Sequence, residues 1–203
     1  MIKKILHLIE QAGVLMQMPR SHKRHLGTAF DTVASHSHNV SVIAYVISRM
    51  EGLSHEEGMK AVTMAVFHDL SEARTGDFGF VEKHYGQTDE NKAIEDQFKG
   101  LMFSKDLTDL VAEYNLRKSN ISKCVKDADS LAQIFHEWVL MHQGNKLAER
   151  WFHSDFNDRV PSFKTESAKQ IAIAMKEGTP QDWWWIEFIK DEAAEDLQKL
   201  IGN

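Results

Sequence analysis

The sequence predicts an all-α fold, and three observations carry that reading. Apolar residues recur at helical spacing, as in Ile2, Ile5, Leu6 and Ile9 or Val40, Ile43, Ala44 and Ile47. Only three prolines (Pro19, Pro161 and Pro180) interrupt 203 residues, and a helix interior tolerates proline least. Alternating runs of β-branched residues, the mark of half-buried strands, are absent. With 42% hydrophobic residues the chain is long enough for one well-cored domain over residues 1–203.

The first helix is carried by Ile2, Ile5, Leu6, Ile9, Val14 and Leu15 and ends near Met18-Pro19. Its start faintly resembles a signal peptide, but His7, Glu10 and Gln11 interrupt it and no small-residue cleavage site follows promptly. Arg20 to Val33 is polar, basic and aperiodic and reads as a long loop. A second helix carries Val40, Ile43, Ala44, Val46 and Ile47, has His36 in its first turn, and stops at Gly52. Ser54 followed by Glu57 is a capping-box pattern. The helix it opens runs through Ala61, Val62, Ala65 and Val66 to His68-Asp69. If that helix continues, Glu72 shares the face of both residues, at i+4 and i+3. Gly76 then ends it and leaves Asp77 just outside the same cleft.

Asp77 to Gln87, with Gly79 and Gly86, reads as a loop bordering the cleft. Thr88 to Gly100 and Ser104 to Lys118 have enough spaced apolar residues for surface helices. Ser119 or Asn120 caps a helix from Ile121 to His142, closed by Gly144. Lys146 to Asn203 reads as three further helices, broken around Pro161 and Gly178-Thr179-Pro180. Trp183-Trp184-Trp185 spreads around a helix, so part of this surface is expected to meet another element or a second subunit in a homodimer. No internal repeat or linker is present.

Composition excludes several function classes. The net charge is −6 and no dense basic stripe exists, which argues against extended nucleic acid as a partner. The cluster Arg20, His22, Lys23, Arg24 and His25 is local and sized for one small anion. Cys124 is the sole cysteine, so no intrachain disulfide can form, and no activating partner for it is evident. No apolar run approaches the roughly 20 residues that span a bilayer. A soluble, cytoplasmic protein with no membrane partner is the expectation.

His68-Asp69 sets an imidazole beside a carboxylate, able to offer one nitrogen and one oxygen to a single ion. Asp129 is a mid-helix aspartate among apolar residues, costly unless paired or metal-bound. Asp127 competes for the same assignment. His36 opens a helix whose next turn is apolar, so its ring is directed inward. Together His36, His68, Asp69 and Asp129 would supply two nitrogens and two oxygens from three helices. That leaves places for water and substrate on an octahedral ion. His38, His136 and His142 share no face with this set and read as structural or exposed.

This order of residues resembles the HD-domain metal-dependent phosphohydrolases. More closely, Val33-Ala34-Ser35-His36-Ser37, His68-Asp69-Leu70-Ser71-Glu72, Thr75-Gly76-Asp77 and Lys126-Asp127-Ala128-Asp129 resemble the branch that contains 5'-deoxynucleotidases. The resemblance implies a helical bundle with a metal site between its central helices. It implies one divalent ion (Mn, Co, Fe, Mg or Zn) on His36, His68, Asp69 and Asp129. Glu72 would be catalytic, managing the proton of the attacking water or of the leaving oxygen. Asp77 would contact the sugar hydroxyl and Arg20 the phosphate, with Lys23 and Arg24 as rivals for the latter role.

The implied reaction is hydrolysis of a (deoxy)nucleoside 5'-monophosphate, a small-molecule substrate. A phosphodiesterase, a phosphatase for another metabolite and a non-catalytic nucleotide-binding module are the alternatives. Two departures stand out. The branch commonly carries glutamate before the first metal histidine, where this chain has Ser35, and tryptophan shortly after the N-terminal arginine, where it has Ser21-His22-Lys23-Arg24.

Overall fold

In the computed structural model, which describes residues 1–27 and 31–189, helix follows helix and the one β-type contact among these residues is an isolated bridge between Pro19 and Thr32. The order is α1 (Ile2–Leu15), α2 (Lys23–Leu26), α3 (Val33–Met50), α4 (His55–Phe67), α5 (Glu72–Thr75) and α6 (Phe80–Tyr85). Then come α7 (Glu90–Phe98), α8 (Ser104–Leu116), α9 (Asn120–His142), α10 (Lys146–Asp158), α11 (Glu166–Glu177) and α12 (Asp182–Trp184). A 3₁₀ turn at Val160–Ser162 joins α10 to α11, and a π turn at Trp185–Ile189 follows α12.

Side-chain caps fix several starts. Thr32 and Ser35 form a reciprocal box at α3, and Ser54 and Glu57 form the expected one at α4. Ser119 caps α9 through the amide of Ser122. Each such cap satisfies amides that the first turn leaves without partners and is worth about 1 kcal/mol.

Helices α3, α4 and α9 pack on one another as the centre of the molecule, with α10 and α11 against α9. Their contacts are lined by small residues, Ala44 from α3, Ala61 and Ala65 from α4, Ala128 and Ala132 from α9, all buried. Small side chains at the crossing let backbones approach closely, and Ile47, Met64, Leu131 and Ile134 fill the space between them. A second apolar cluster gathers Leu15, Val33, Leu70, Ile94, Phe98, Leu107 and Val111.

The two clusters meet along a seam that positions the site. Helix α3 enters with Val33 in the second cluster and reaches Val40 in the first, and His36 lies between them. Helix α4 ends with Ala65 in the first cluster, and the chain re-enters the second at Leu70, with His68-Asp69 between. Polar side chains therefore collect where neither core closes over them.

Several expectations are corrected. Helix α4 does not continue through Glu72: it ends at Phe67, and His68 to Ser71 form tight turns in which Leu70 donates to the Phe67 carbonyl and Glu72 to that of Asp69. Gly76, at φ 81°, then turns the chain after α5 in a conformation that other residues rarely adopt. The stretch read as a loop from Asp77 to Gln87 contains α6, and the one from Arg20 to Val33 contains α2. Both helices are shorter than the window over which a 3.6-residue period can be seen. Of the three C-terminal helices expected, α10 and α11 form, α12 begins the third, and residues 190–203 lie outside the described residues. Trp183 and Trp185 are 71% and 53% exposed. Among the described residues no helix is long and apolar enough to cross a membrane.

Candidate metal centre and cleft

His36 closes the first turn of α3, His68 and Asp69 lie in the turn after α4, and Asp129 lies in the middle of α9. The structure brings all four together. His36 Nε2 is 3.0 Å from Asp129 Oδ1 and 3.8 Å from Asp69 Oδ2. His68 Nε2 is 3.1 Å from Asp69 Oδ2 and 3.9 Å from Asp129 Oδ1. Ligand atoms of His36, His68 and Asp69 all lie within 4.8 Å of one another.

The fit to a cation rests on His68. Its Nδ1 is 2.7 Å from the carbonyl of Ala65, and because a carbonyl only accepts, Nδ1 carries the proton. That bond fixes the ring and turns Nε2 into the cluster, as in histidines that ligate metals. Nε2 is buried and makes no hydrogen bond, although a carboxylate oxygen stands 3.1 Å away. Burial works to lower the His68 pKa, but the charges of Asp69 and Asp129 outweigh it and raise it. A divalent ion would take over from that proton, which is how metal binding couples to proton release. Two imidazoles and two carboxylates suit a borderline divalent ion.

Asp127 and Asp129 take separate roles. Asp129 accepts from the Tyr114 hydroxyl at 2.9 Å and from Lys126 Nζ at 2.6 Å through Oδ2, which leaves Oδ1 toward His36. Burial would raise its pKa, but the hydrogen bond with His36 and the charge of Lys126 hold it well below the usual carboxylate range. Asp127 faces away and accepts from the amides of Lys164 and Thr165 and from the Thr165 hydroxyl.

Glu72, at the start of α5, is 3.9 Å from Arg20 Nη1 through an Oε2 that is buried and without a hydrogen bond. Burial, reinforced by the charges of Asp69 and Asp77, pushes its pKa up to about 10, with Arg20 offsetting part of the rise. In the ion-free protein Glu72 carries a proton at neutral pH, and a cation among its neighbours would draw that pKa down again.

Arg20 is the cation set among Asp69, Glu72 and Asp77. Its Nη1 donates to Asp69 Oδ2 at 3.3 Å, and its Nε lies 3.5 Å from Asp77 Oδ2. The rivals do not reach it: Lys23 is exposed, and Arg24 pairs with Glu82 on α6. Asp77 accepts from the Ser21 amide at 2.8 Å and more loosely from the Ser21 hydroxyl at 3.4 Å, so it anchors the segment that carries Arg20.

Above these groups opens a cavity of about 850 Å³ whose wall includes Arg20, His68, Asp69, Glu72, Asp77 and Asp129. Its other side carries Gln133 and Glu137 from α9 and Trp151, Asp155 and Arg159 from the region of α10. The sequence reading assigned no role to these groups, nor to Tyr114, nor to Lys126, which it quoted only within the Asp129 motif. Lys126 lies at i−3 from Asp129 on one helix, a spacing that could have flagged it. Tyr114 comes from α8, and no local signal points to it.

A family model described as HD domain matches residues 12–172, most of the chain and all of this site. The chain belongs to the HD-domain family. That is the family its motifs resemble, and the all-α HD bundle is its fold. Among curated proteins, the 5'-deoxynucleotidase HDDC2 of Dictyostelium discoideum is 28% identical over 158 residues, covering 72% of this chain and 82% of that protein. A crystal structure known as genomics APC5600 is 30% identical with a TM-score of 0.73, covering 90% of this chain and 99% of the other. A conserved hypothetical protein from Pyrococcus furiosus, 24% identical over 85% of this chain and 99% of its own, shares the fold with a TM-score of 0.71.

Proposed function

We propose that this HD-domain protein is a metal-dependent phosphomonoesterase that hydrolyses (deoxy)nucleoside 5'-monophosphates to nucleoside and phosphate. The observation that carries the reading is the convergence of His36, His68, Asp69 and Asp129 at the base of a cavity edged by Arg20 and Glu72. The similarity to a 5'-deoxynucleotidase supports the substrate class.

In this reading His36, His68, Asp69 and Asp129 hold one divalent ion, which supplies Lewis-acid polarisation of the phosphoryl group and activation of water. Phosphoryl transfer asks the protein chiefly for placement and charge stabilisation. Arg20 supplies both, because a guanidinium can give two parallel hydrogen bonds to phosphate where an ammonium cannot. Substrate phosphate competes with Asp69 and Asp77 for that guanidinium, so the ion pairs seen here hold Arg20 extended toward the cleft until substrate arrives. Glu72 manages the proton. Its protonated form suits donation to the departing sugar oxygen, and its ionised form suits acceptance from water.

Asp77 Oδ2 is taken by the Ser21 amide, whereas Oδ1 has only the long contact to the Ser21 hydroxyl. Oδ1 therefore keeps capacity for a sugar hydroxyl and would repel a 3'-phosphate. The test is a panel of nucleoside and deoxynucleoside 5'-monophosphates, a 3',5'-bisphosphate and bis-p-nitrophenyl phosphate, each assayed with Mn, Co, Mg and Zn. Turnover of 5'-monophosphates, abolished by chelator and restored by an ion, is expected. Faster turnover of the diester would favour a phosphodiesterase, and binding without turnover under every ion would leave a nucleotide-binding module.

A further inference from the structure

His22, Asp31 and His136 form a second polar cluster that the proposed reaction does not use. They come from three places: His22 stands immediately before α2, Asp31 precedes the Thr32 cap of α3, and His136 lies on α9. His136 is seven residues beyond Asp129, so, against the expectation that it shares no face with the first set, it lies on that face of α9 about 10 Å further along the axis.

Asp31 is held as a ligand would be. Its Oδ1 accepts from the Ser35 hydroxyl at 2.7 Å, and the backbone amide of Arg20 donates to its carbonyl at 3.1 Å. Oδ2 is thereby aimed at the imidazoles, 3.7 Å from His22 Nε2 and 4.0 Å from His136 Nδ1. These separations are too long for hydrogen bonds. They sit close to what a shared ion requires, since bonds of about 2.0–2.1 Å in a tetrahedral site put ligand atoms roughly 3.3 Å apart. His22 Nε2, the atom that faces Asp31, is buried with no hydrogen-bond partner among the described residues. The rings lie with centroids 5.1 Å apart.

A purely structural His–Asp cluster would close to hydrogen-bond distance and would favour a charged imidazole. Here burial, together with the neighbouring His136 and Arg20, lowers the His22 pKa to about 4, and burial lowers that of His136 as well. Both rings are therefore neutral near pH 7, the form that ligates metals. Two neutral imidazoles facing one oriented carboxylate make the donor set of many two-histidine, one-carboxylate metal sites, with a position left for solvent.

We propose that His22, Asp31 and His136 bind a second divalent cation of the zinc class, at a site separate from the His36, His68, Asp69 and Asp129 cluster. His22 also lines the main cavity, so this ion would add positive charge at the cavity wall on the side of Arg20. The proposal stands without the catalytic reading, because none of the three residues belongs to the first cluster.

The test is to strip the full-length chain with chelator and titrate it with Co(II). Visible absorption and the number of ions retained per chain after desalting are both read. The wild-type chain is expected to hold two ions, Asp69→Ala and His136→Ala one each, and the double variant none. The ion retained by Asp69→Ala should lose affinity at least about tenfold on Asp31→Asn, because Asp31 is itself a ligand and even disturbing a ligand's support acts on that scale. Circular dichroism melts establish folding, and His22→Ala gives the same count if His136→Ala does not fold. An unchanged ion count and spectrum in His136→Ala and His22→Ala would overturn the site, as would a wild-type chain holding one ion that Asp69→Ala removes. If the first cluster binds nothing, wild type and Asp69→Ala each hold one ion and His136→Ala none, so the two readings fail separately.

Discussion

The two faces of α9 treat carboxylates in opposite ways. On the outer face Asp127 is buried, and one oxygen takes two backbone amides and a hydroxyl from the start of α11. Those donors are fixed by the fold, and the aspartate serves as a clamp on a helix N-terminus. On the inner face Asp129 shares a small volume with Asp69, Glu72 and Asp77, answered by Arg20, Lys126 and two imidazoles. There the partners are side chains, two buried nitrogens (Arg20 Nε and His68 Nε2) have no hydrogen bond, and one carboxyl is driven up to about 10. A carboxylate satisfied by backbone is finished structure. One crowded among ionisable groups needs something the chain does not supply, and strongly perturbed groups in a cleft are where function concentrates.

That contrast can be broken most decisively at the inner face. Asp69→Ala should lose the ion of the first cluster and turnover together, read by metal analysis and a phosphate-release assay, while Asp127→Ala keeps both. A catalytically competent Asp69→Ala would remove the inner face from the chemistry. Next in size, Glu72→Ala should lower kcat by about 10²–10⁴, the usual scale of general acid–base assistance, with the ion retained. Loss of the ion in that variant would make Glu72 a ligand instead.

Arg20→Lys keeps the charge but not the fork, and should lower kcat/KM by roughly tenfold to a hundredfold with little change in melting temperature. An equal kcat/KM would mean that another cation lining the cavity, Lys126 or Arg117 just after α8, receives the phosphate. At the outer face the sign reverses. Asp127→Ala strands buried amides and should cost about 2–4 kcal/mol in denaturant unfolding, whereas Glu72→Gln, which replaces a carboxyl whose charge the crowded site disfavours, should leave the metal-free chain as stable as before. Equal destabilisation by the two would erase the distinction.

The smallest effect is expected at Cys124. It is buried in the central core, and burial pushes its thiol up to about 11. Labelling by a thiol reagent at pH 8 should proceed only as fast as the protein opens, and rapid labelling of the native chain would show that the core around α9 is loose.

How much of this was legible beforehand depended on the range of the signal. The helical class, the box of Ser54 and Glu57, the cap at Ser119 and the stop at Gly76 are written in residues within four positions of one another, because capping and periodicity are local. The candidate ligands could be named because a histidine-aspartate pair and an aspartate inside an apolar helix are locally anomalous. What the sequence by itself determined was therefore which residues are out of place in an ordinary helix. Tertiary structure decided where each one goes. It turned Asp127 outward onto Thr165 and Asp129 inward onto His36, brought Tyr114 onto Asp129, and set Asp31 before His22 and His136. Except for the spacing of Asp129 along α9, these pairings join residues on separate helices or turns. They follow from two apolar cores closing against each other and leaving a polar seam, a balance of burial summed over the whole chain that no window of sequence contains.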